Sequence, residues 1–483
     1  MGSTICVVVA MLEALVAHQL MGVSGFKKAF FILFVIHYLG LKCYRIFLYP
    51  KYFSPLRHIP GPQVSGVPMS RHYPGIATNT AWRVRHTEPT ARVGQPGSQS
   101  TLAVLYQLEE DSQAFWISSP KLEPVFPRKA KEVTWLFDRA IDANNGGATA
   151  IDCTDTFARV TLDAVSVALL GVDLSGLKET PISNADKKSQ RATEGDTLGK
   201  ILMFANAFVP VRWMPLETNG KFLFATKWLN AFLTQLVRNR TRDIRAAYAA
   251  DKYARGEARD LVTFIIEESL PGGPAEEITE EEIVGDLLQL MAAGHDTSAN
   301  ILSWSLYIMA TKQDIQDKLR EEMLLELGEA PEPAYAQIEA LPYLDNFTRE
   351  TLRVYTSATT MHRQAVVDET ICGIFIPKGT TFDVVPHVTL MNPLIWGDGV
   401  DEFDPTRWDR LSEEARSPYA FSTFSNGPRV CLGRSFAFRE IKIILVEMVR
   451  NYRFLAVEGP FTVENPSLTL RPRGLRVLLE KRL

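Results

Sequence analysis

Apolar residues crowd the start of the chain. Residues 5–23 (ICVVVAMLEALVAHQLMGV) and 29–41 (AFFILFVIHYLGL) are hydrophobic runs separated by Lys27 and Lys28. A bilayer-spanning helix needs about 20 apolar residues. The first run has the length but carries Glu13 and His18; the second is clean and short. Residues 1–12 hold no charged side chain, unlike the basic start of a secretory signal. Lys42, Arg45, Lys51 and Arg57 come after the second run, and the positive-inside rule then puts the downstream chain in the cytosol. Residues 1–49 are expected to form a membrane anchor of one or two spans. YPKYFSPLRHIPGP, with Pro50, Pro55, Pro60 and Pro62, resists helix and reads as a stiff hinge over 50–62.

From about residue 121 the pattern turns helical. In KLEPVFPRKAKEVTWLFDRAIDA, Val133, Phe137 and Ile141 recur four apart on one face. TFARVTLDAVSVALLG ends at Gly171, a plausible C-cap. NAFLTQLVRNRTRDIRAAYAA is long and amphipathic, with a basic outer face. Strand-like pieces are short and late: ETICGIFIPKGTTFDVV and LRVLLEK. The expected fold is mainly α with small β-sheets.

One helix is predicted over 278–314. Thr279 and Glu282 have capping-box spacing. Leu287 to Met309 is apolar around most of its circumference, so the helix should run through the core. Its centre reads AAGHDTS. Gly294 costs a helix interior about 1 kcal/mol relative to alanine, and Asp296 and Thr297 are polar where hydrocarbon is expected. Together they predict a local opening of the hydrogen-bond ladder that faces a pocket.

Composition narrows the chemistry. The 483 residues are 46% hydrophobic, ample for a large core, and the net charge of −4 lacks the basic footprint of a nucleic-acid binder. The five cysteines (Cys6, Cys43, Cys153, Cys372, Cys431) are scattered, odd in number and contain no CxxC, which argues against a disulfide framework or a zinc or redox pair. No strand–GxGxxG–helix unit for a dinucleotide is present.

Cys431 stands apart, in FSNGPRVCLGRSFAFREIKIILVEMVRNYRF. Ala437, Ile441, Leu445 and Met448 mark a helix after it, so the cysteine precedes or opens a helix N-terminus, which favours a thiolate. Gly427 and Gly433 allow a tight turn and close approach of backbone N–H groups. With no His or Asp base beside it, such a thiolate suits a metal better than a nucleophilic role. Thiolate is one of the axial ligands of haem iron and favours O–O cleavage. Phe424 is placed to shield the sulfur.

These residues resemble the cytochrome P450 haem-thiolate monooxygenases, in particular the membrane-bound fungal type. The family's F-x-x-G-x-R-x-C-x-G is matched by Phe424, Gly427, Arg429, Cys431 and Gly433. Its A-G-x-D-T is matched by Ala293, Gly294, Asp296 and Thr297. Its E-x-x-R is matched by Glu350 and Arg353, and the later P-x-R-W by Pro405, Arg407 and Trp408. The resemblance implies a cytochrome P450 fold over 63–483 and haem b as cofactor. It implies Cys431 as the iron ligand, Arg429 and, less specifically, Arg363 as partners of the haem propionates, and a buried network of Glu350, Arg353 and Arg407 beneath the haem. Thr297 and Asp296 are implied as the catalytic pair that relays protons during oxygen activation; His295 is assigned no role. Leu290, Ala293, Gly294, Thr297, Thr359 and Thr360 are the candidate substrate pocket. Electrons are expected from NADPH through a separate cytochrome P450 reductase, an acidic partner that Arg434, Arg439 and Lys442 could dock. The expected substrate is a hydrophobic small molecule, a terpenoid or polyketide by resemblance, oxidised at the endoplasmic reticulum membrane.

Residues 63–120 depart from the family. Its W-x-x-x-R helix is replaced by a segment rich in Gly, Pro, Ser and Thr, in which Trp82 and Arg85 are three apart; neither is assigned to the haem. Two alternatives stand beside the monooxygenase: a haem-thiolate isomerase or dehydratase that needs no reductase, against which Asp296 and Thr297 argue, and, from the departure at 63–120, a haem-binding protein without activity.

Overall fold

The computed structural model describes most of residues 7–15 and 26–44, then 124–174, 217–250 and, with short interruptions, 260–482. Nearly all of the hinge at 50–62, the atypical segment 63–120 with Trp82 and Arg85, and most of the first apolar run lie outside the described residues.

Contacts divide the chain into two compact units. The smaller comprises Met1–Arg92, Glu194–Asn219 and His362–Val384. Its helix α1 (Phe26–Cys43) carries the second apolar run. Phe30, Phe34 and Tyr38 stack along one side, with ring centroids 6.3 and 5.7 Å apart. Glu13 accepts its hydrogen bond from His37 (2.7 Å). The 18 residues of α1 extend about 27 Å, short of a hydrocarbon layer of about 30 Å. No helix among the described residues is long and apolar enough to cross a membrane. The same unit holds an antiparallel hairpin, Glu369–Ile371 with Ile374–Ile376. It turns at Cys372 (φ 49°) and Gly373 (φ 78°), the positive-φ pair that a two-residue hairpin loop needs.

The larger unit comprises Val93–Thr193, Gly220–Met361 and Val385–Leu483. Helix α2 (Val125–Ala143) buries Val133, Phe137 and Ile141, as its periodicity predicts. Strand β1 (Thr149–Asp152) comes next, then α3 (Cys153–Leu170), which stops at Gly171 with φ 68°. Lys129 of α2 is fully buried and reaches Asp173 and Glu132 (both 2.9 Å) and Asp163 (3.5 Å). An uncompensated buried ammonium would cost several kcal/mol, so this cluster pins α2 against α3. Helices α4 (Glu217–Ala249) and α5 (Leu261–Glu268) are tied by Arg240 to Asp260 at 3.0 Å.

Helix α6 (Glu280–Thr311) opens with the predicted capping box: Thr279 N donates to Glu282 (3.0 Å) and Glu282 N to Thr279 Oγ1 (3.3 Å). Its C-terminal half is core, with Ile301, Leu302, Trp304, Leu306 and Met309 almost wholly buried. It packs most extensively on α3. Helices α7 (Gln313–Leu327), α8 (Pro342–Val354) and α9 (Arg434–Asn451) complete the helical body. β2 (Tyr452–Val457) and β3 (Arg476–Lys481) join β1 in an antiparallel sheet ordered β1-β3-β2. The C-terminal strand is therefore central, with Thr149 opposite Leu479 and Tyr452 opposite Lys481.

Candidate active site

The cysteine loop is two short 3-10 turns, Ser422–Phe424 and Gly427–Arg429. Ser425 (φ 60°) and Gly427 (φ 69°) reverse the chain between them. The reversal lets Cys431 N donate to Phe424 O (2.8 Å), which sets the phenylalanine beside the cysteine. Phe424 is fixed in turn by Phe438 (5.4 Å between centroids) and by the Arg434 guanidinium 5.9 Å from its ring. α9 starts at Arg434, so Cys431 precedes the helix rather than opening it.

Cys431 faces a cavity of about 270 Å³, through which it is solvent-accessible although protein packs densely around it. Burial pushes its thiol pKa up; the Gly433 N–H and the Arg434 charge oppose this without reversing it. The expected lowering by the helix N-terminus is therefore overridden by desolvation. A coordinated metal deprotonates a thiol outright. Among the described residues no three His, Cys, Asp or Glu side chains gather as a metal site. A metal held by Cys431 would thus bring most of its other ligands with it.

Seven sequence-predicted residues meet in this cavity: Leu290, Ala293, Gly294 and Thr297 from α6, and Phe424, Cys431 and Gly433 from the loop. Val165, Ser298 and Phe436 also line it, and sequence reasoning missed them. Thr359 and Thr360 are half-buried and do not line it. Gly427 and Arg429 shape the loop and are not among the lining residues; Arg429 is exposed. Arg363 belongs to the smaller unit, where it donates to His362 O at 2.9 Å.

The centre of α6 departs from expectation in two ways. The helix stays α-helical through AAGHDTS, without the predicted opening. Two of its carbonyls nonetheless take outside donors: Thr161 Oγ1 donates to His295 O (2.9 Å) and Ser357 Oγ to Thr297 O (2.9 Å). Gly294 answers to packing, since a Cβ there would stand 2.9 Å from Val165 Cγ2. Thr297 donates its hydroxyl back to Ala293 O (2.8 Å). Asp296 does not line the cavity; Arg471 and Thr469 both donate to its carboxylate, and Asn300 approaches at 3.5 Å.

Glu350, Arg353 and Arg407 come together in a buried network more extensive than the three residues named from the resemblance. Glu350 and Arg353, both fully buried, form a bidentate pair with two 2.8 Å contacts. Arg407 Nε approaches Glu350 at 3.5 Å. The Trp408 indole N–H and the Asp404 N–H (both 3.1 Å) also donate to this carboxylate. Both arginines spend their remaining donors on backbone: Arg353 on Leu390 O (2.9 Å), Arg407 on Trp396 O (3.0 Å) and Gly399 O (2.8 Å). This buried network ties the chain between Leu390 and Trp408 to α8.

Of the three candidate docking cations, Lys442 is buried and paired with Asp345 (2.7 Å), and Arg439 lies 4.2 Å over the Tyr335 ring. Arg434 alone of the three is exposed.

The cytochrome P450 family model matches residues 113–479. The chain belongs to the cytochrome P450 family. It is 28% identical to the cytochrome P450 CYP13A3 of Caenorhabditis elegans over 69% of this chain and 67% of that one. It is 26% identical to the cytochrome P450 monooxygenase FUM15 of Gibberella moniliformis, over 69% of this chain and 63% of that one. The chain thus spans about two thirds of the length of these relatives. The crystal structure of a cytochrome P450DA heme domain superposes with a TM-score of 0.62 at 20% identity, covering 80% of this chain and 78% of that one, and supports the fold. The haem of the family fits the P450 site seen here. An accessible thiol stands at a largely apolar cavity, and a Cβ on Gly433, which lines it, would meet nothing within 4 Å.

Proposed function

We propose that this P450 is a haem-thiolate monooxygenase that oxidises a hydrophobic small molecule. Family membership supports the class, an oxidoreductase of monooxygenase type. One observation carries the reading for this chain: Cys431 opens on an apolar cavity whose opposite wall, Leu290 to Thr297, belongs to α6. Cys431 would hold the haem iron as thiolate. When bound, the haem supplies activation of O2: with two electrons and two protons, one oxygen atom enters the substrate and the other leaves as water.

The protein's own groups do the rest. Phe424, set beside the cysteine by the Cys431 N–H bond, would shield part of the sulfur from water. Thr297, with its hydrogen committed to Ala293 O, presents lone pairs and can accept a proton-bearing group. Leu290, Ala293 and Val165 exclude water and favour an apolar substrate. Hydroxylation or epoxidation of a terpenoid or polyketide-derived compound is compatible with such apolar walls; the Gibberella moniliformis relative is named a monooxygenase and supports the reaction class alone. Electrons would come from NADPH through a separate reductase, with Arg434 as the cation left to meet an acidic partner. Residues 1–49 would anchor the enzyme at the endoplasmic reticulum with its catalytic part in the cytosol. The two apolar runs and the basic residues after them support that placement.

A carbon-monoxide difference spectrum of the reduced protein tests the reading. The thiolate-type Soret band is expected in the wild type and absent in Cys431→Ser; a band that survives the substitution removes Cys431 as ligand. The engagement of Asp296 by Arg471 favours, as a second reading, a haem-thiolate isomerase or dehydratase. Turnover without added reductant would select it.

A further inference from the structure

A second pocket, of about 180 Å³, shares no lining residue with the cysteine cavity. It lies within the larger unit, between the short helix Tyr335–Glu339, α8 and the N-terminal half of α9. Four cations line it, Arg349, Arg434, Arg439 and Lys442, against two acids, Glu339 and Asp345. The charges do not cancel. Asp345 alone takes two of the cations, Arg349 Nε at 2.5 Å and Lys442 Nζ at 2.7 Å. Arg434 and Arg439 make no ion pair among the described residues; each stands over a ring instead, Arg439 4.2 Å from the centre of Tyr335 and Arg434 5.9 Å from that of Phe424. Glu339 is exposed, where water and salt screen its charge. Glu440, next to Arg439 on α9, is completely buried, and burial pushes its carboxyl pKa up to about 8, so it brings no full charge to bear at neutral pH.

We propose that this pocket binds a small oxyanion, inorganic phosphate or the phosphate group of a small metabolite, held by Arg434 and Arg439 and supported by the charges of Lys442 and Arg349. The site stands whether or not the cysteine cavity holds haem.

Size, charge and donor geometry select this occupant. Pockets for drug-sized ligands measure about 300–1,000 Å³, so a volume of about 180 Å³ suits a smaller guest. A phosphate group carries about −1.5 to −2 charges at neutral pH, which matches four cations set against two acids. A guanidinium stacked on a ring keeps the N–H groups at its edge for a bidentate oxyanion. Arg439 is held in that way by Tyr335 before any ligand arrives. Ser435, also in the lining, adds a hydroxyl donor.

Titration of inorganic phosphate into the full-length holoprotein tests the site, at an ionic strength held constant with chloride. Calorimetry should show saturable binding of one phosphate per chain. Arg439→Gln and Arg434→Gln should each weaken it about tenfold, the loss of one charge-assisted hydrogen bond. Arg416→Gln, which removes an exposed arginine outside the pocket, should leave it unchanged. The wild type carries a second test where a variant accumulates poorly: phosphate should slow the modification of Arg434 and Arg439 by phenylglyoxal, and not that of Arg416. Binding that follows ionic strength alone, or that is indifferent to Arg434 and Arg439, overturns the proposal. It also falls if the two substitutions weaken only the binding of an acidic protein, which would make this face a docking surface and not a phosphate site.

Discussion

Replacing Gly294 by alanine decides what this glycine is for. A Cβ at Gly294 would lie 2.9 Å from Val165 Cγ2 and 3.4 Å from Cγ1, where carbon pairs rest at about 3.5–4.0 Å. Val165 is β-branched, sits within α3 and is 3% exposed, so turning it away from Gly294 leaves its preferred helical rotamer. Relief comes at that cost or by moving α6 against α3, the most extensive helix contact among the described residues. Overpacking of this sort costs about 1–3 kcal/mol. Alanine returns about 1 kcal/mol of helix propensity. The net expectation is a loss of about 1 kcal/mol, read as a lower urea midpoint at unchanged slope. In a Val165→Ala background the clash disappears, and the same change should be neutral or stabilise by up to about 1 kcal/mol, a coupling of about 2 kcal/mol. The reasoning fails if Gly294→Ala stabilises the wild type, or if its effect is the same in both backgrounds. A glycine serving only ligand access would instead leave the midpoint alone and change binding.

Arg353→Ala should destabilise by about 3–5 kcal/mol, because it strands the buried Glu350 carboxylate. A urea midpoint within about 1 kcal/mol of wild type would mean that the pair is structurally idle. Glu440 gives a pH dependence of defined sign. With a folded pKa of about 8 against an ordinary carboxyl value of about 4.3, the folded state holds the proton that the unfolded state has lost between these limits. Stability conferred below pH 4 is therefore lost as pH rises towards 8, with a ceiling slope of about 1.4 kcal/mol per pH unit. Glu440→Gln removes the proton, so its stability relative to wild type should grow between pH 5 and 8; parallel stability–pH curves would refute the assignment.

What could be read from the sequence was what lies within one helix or one loop. The cysteine loop packs its chemistry into ten residues, so spacing alone carries Phe424, Gly427 and Cys431. The capping box of α6 and the αL stop at Gly171 are equally local. The Glu350–Arg353 pair shares a helix turn and was visible, but Asp404 N, Trp408 Nε1 and the carbonyls that complete it come from irregular chain more than 35 residues away. Strands β1 and β2 escaped notice because TAID and YRFLAV abut the ends of helices and are too short to announce a period.

The same distinction redirects the catalytic question. AGHDTS suggests an acid and a hydroxyl facing one pocket, yet residues adjacent on a helix point about 100° apart. The helix can turn only part of that set towards the cavity. It turns Gly294, Thr297 and Ser298 there, and hands Asp296 to Arg471, 175 residues later in the chain. Such a commitment has no sequence signal, because Arg471 comes from the segment that closes the C-terminal sheet. A relay role for Asp296 therefore requires that its carboxylate first be released from Arg471 and Thr469.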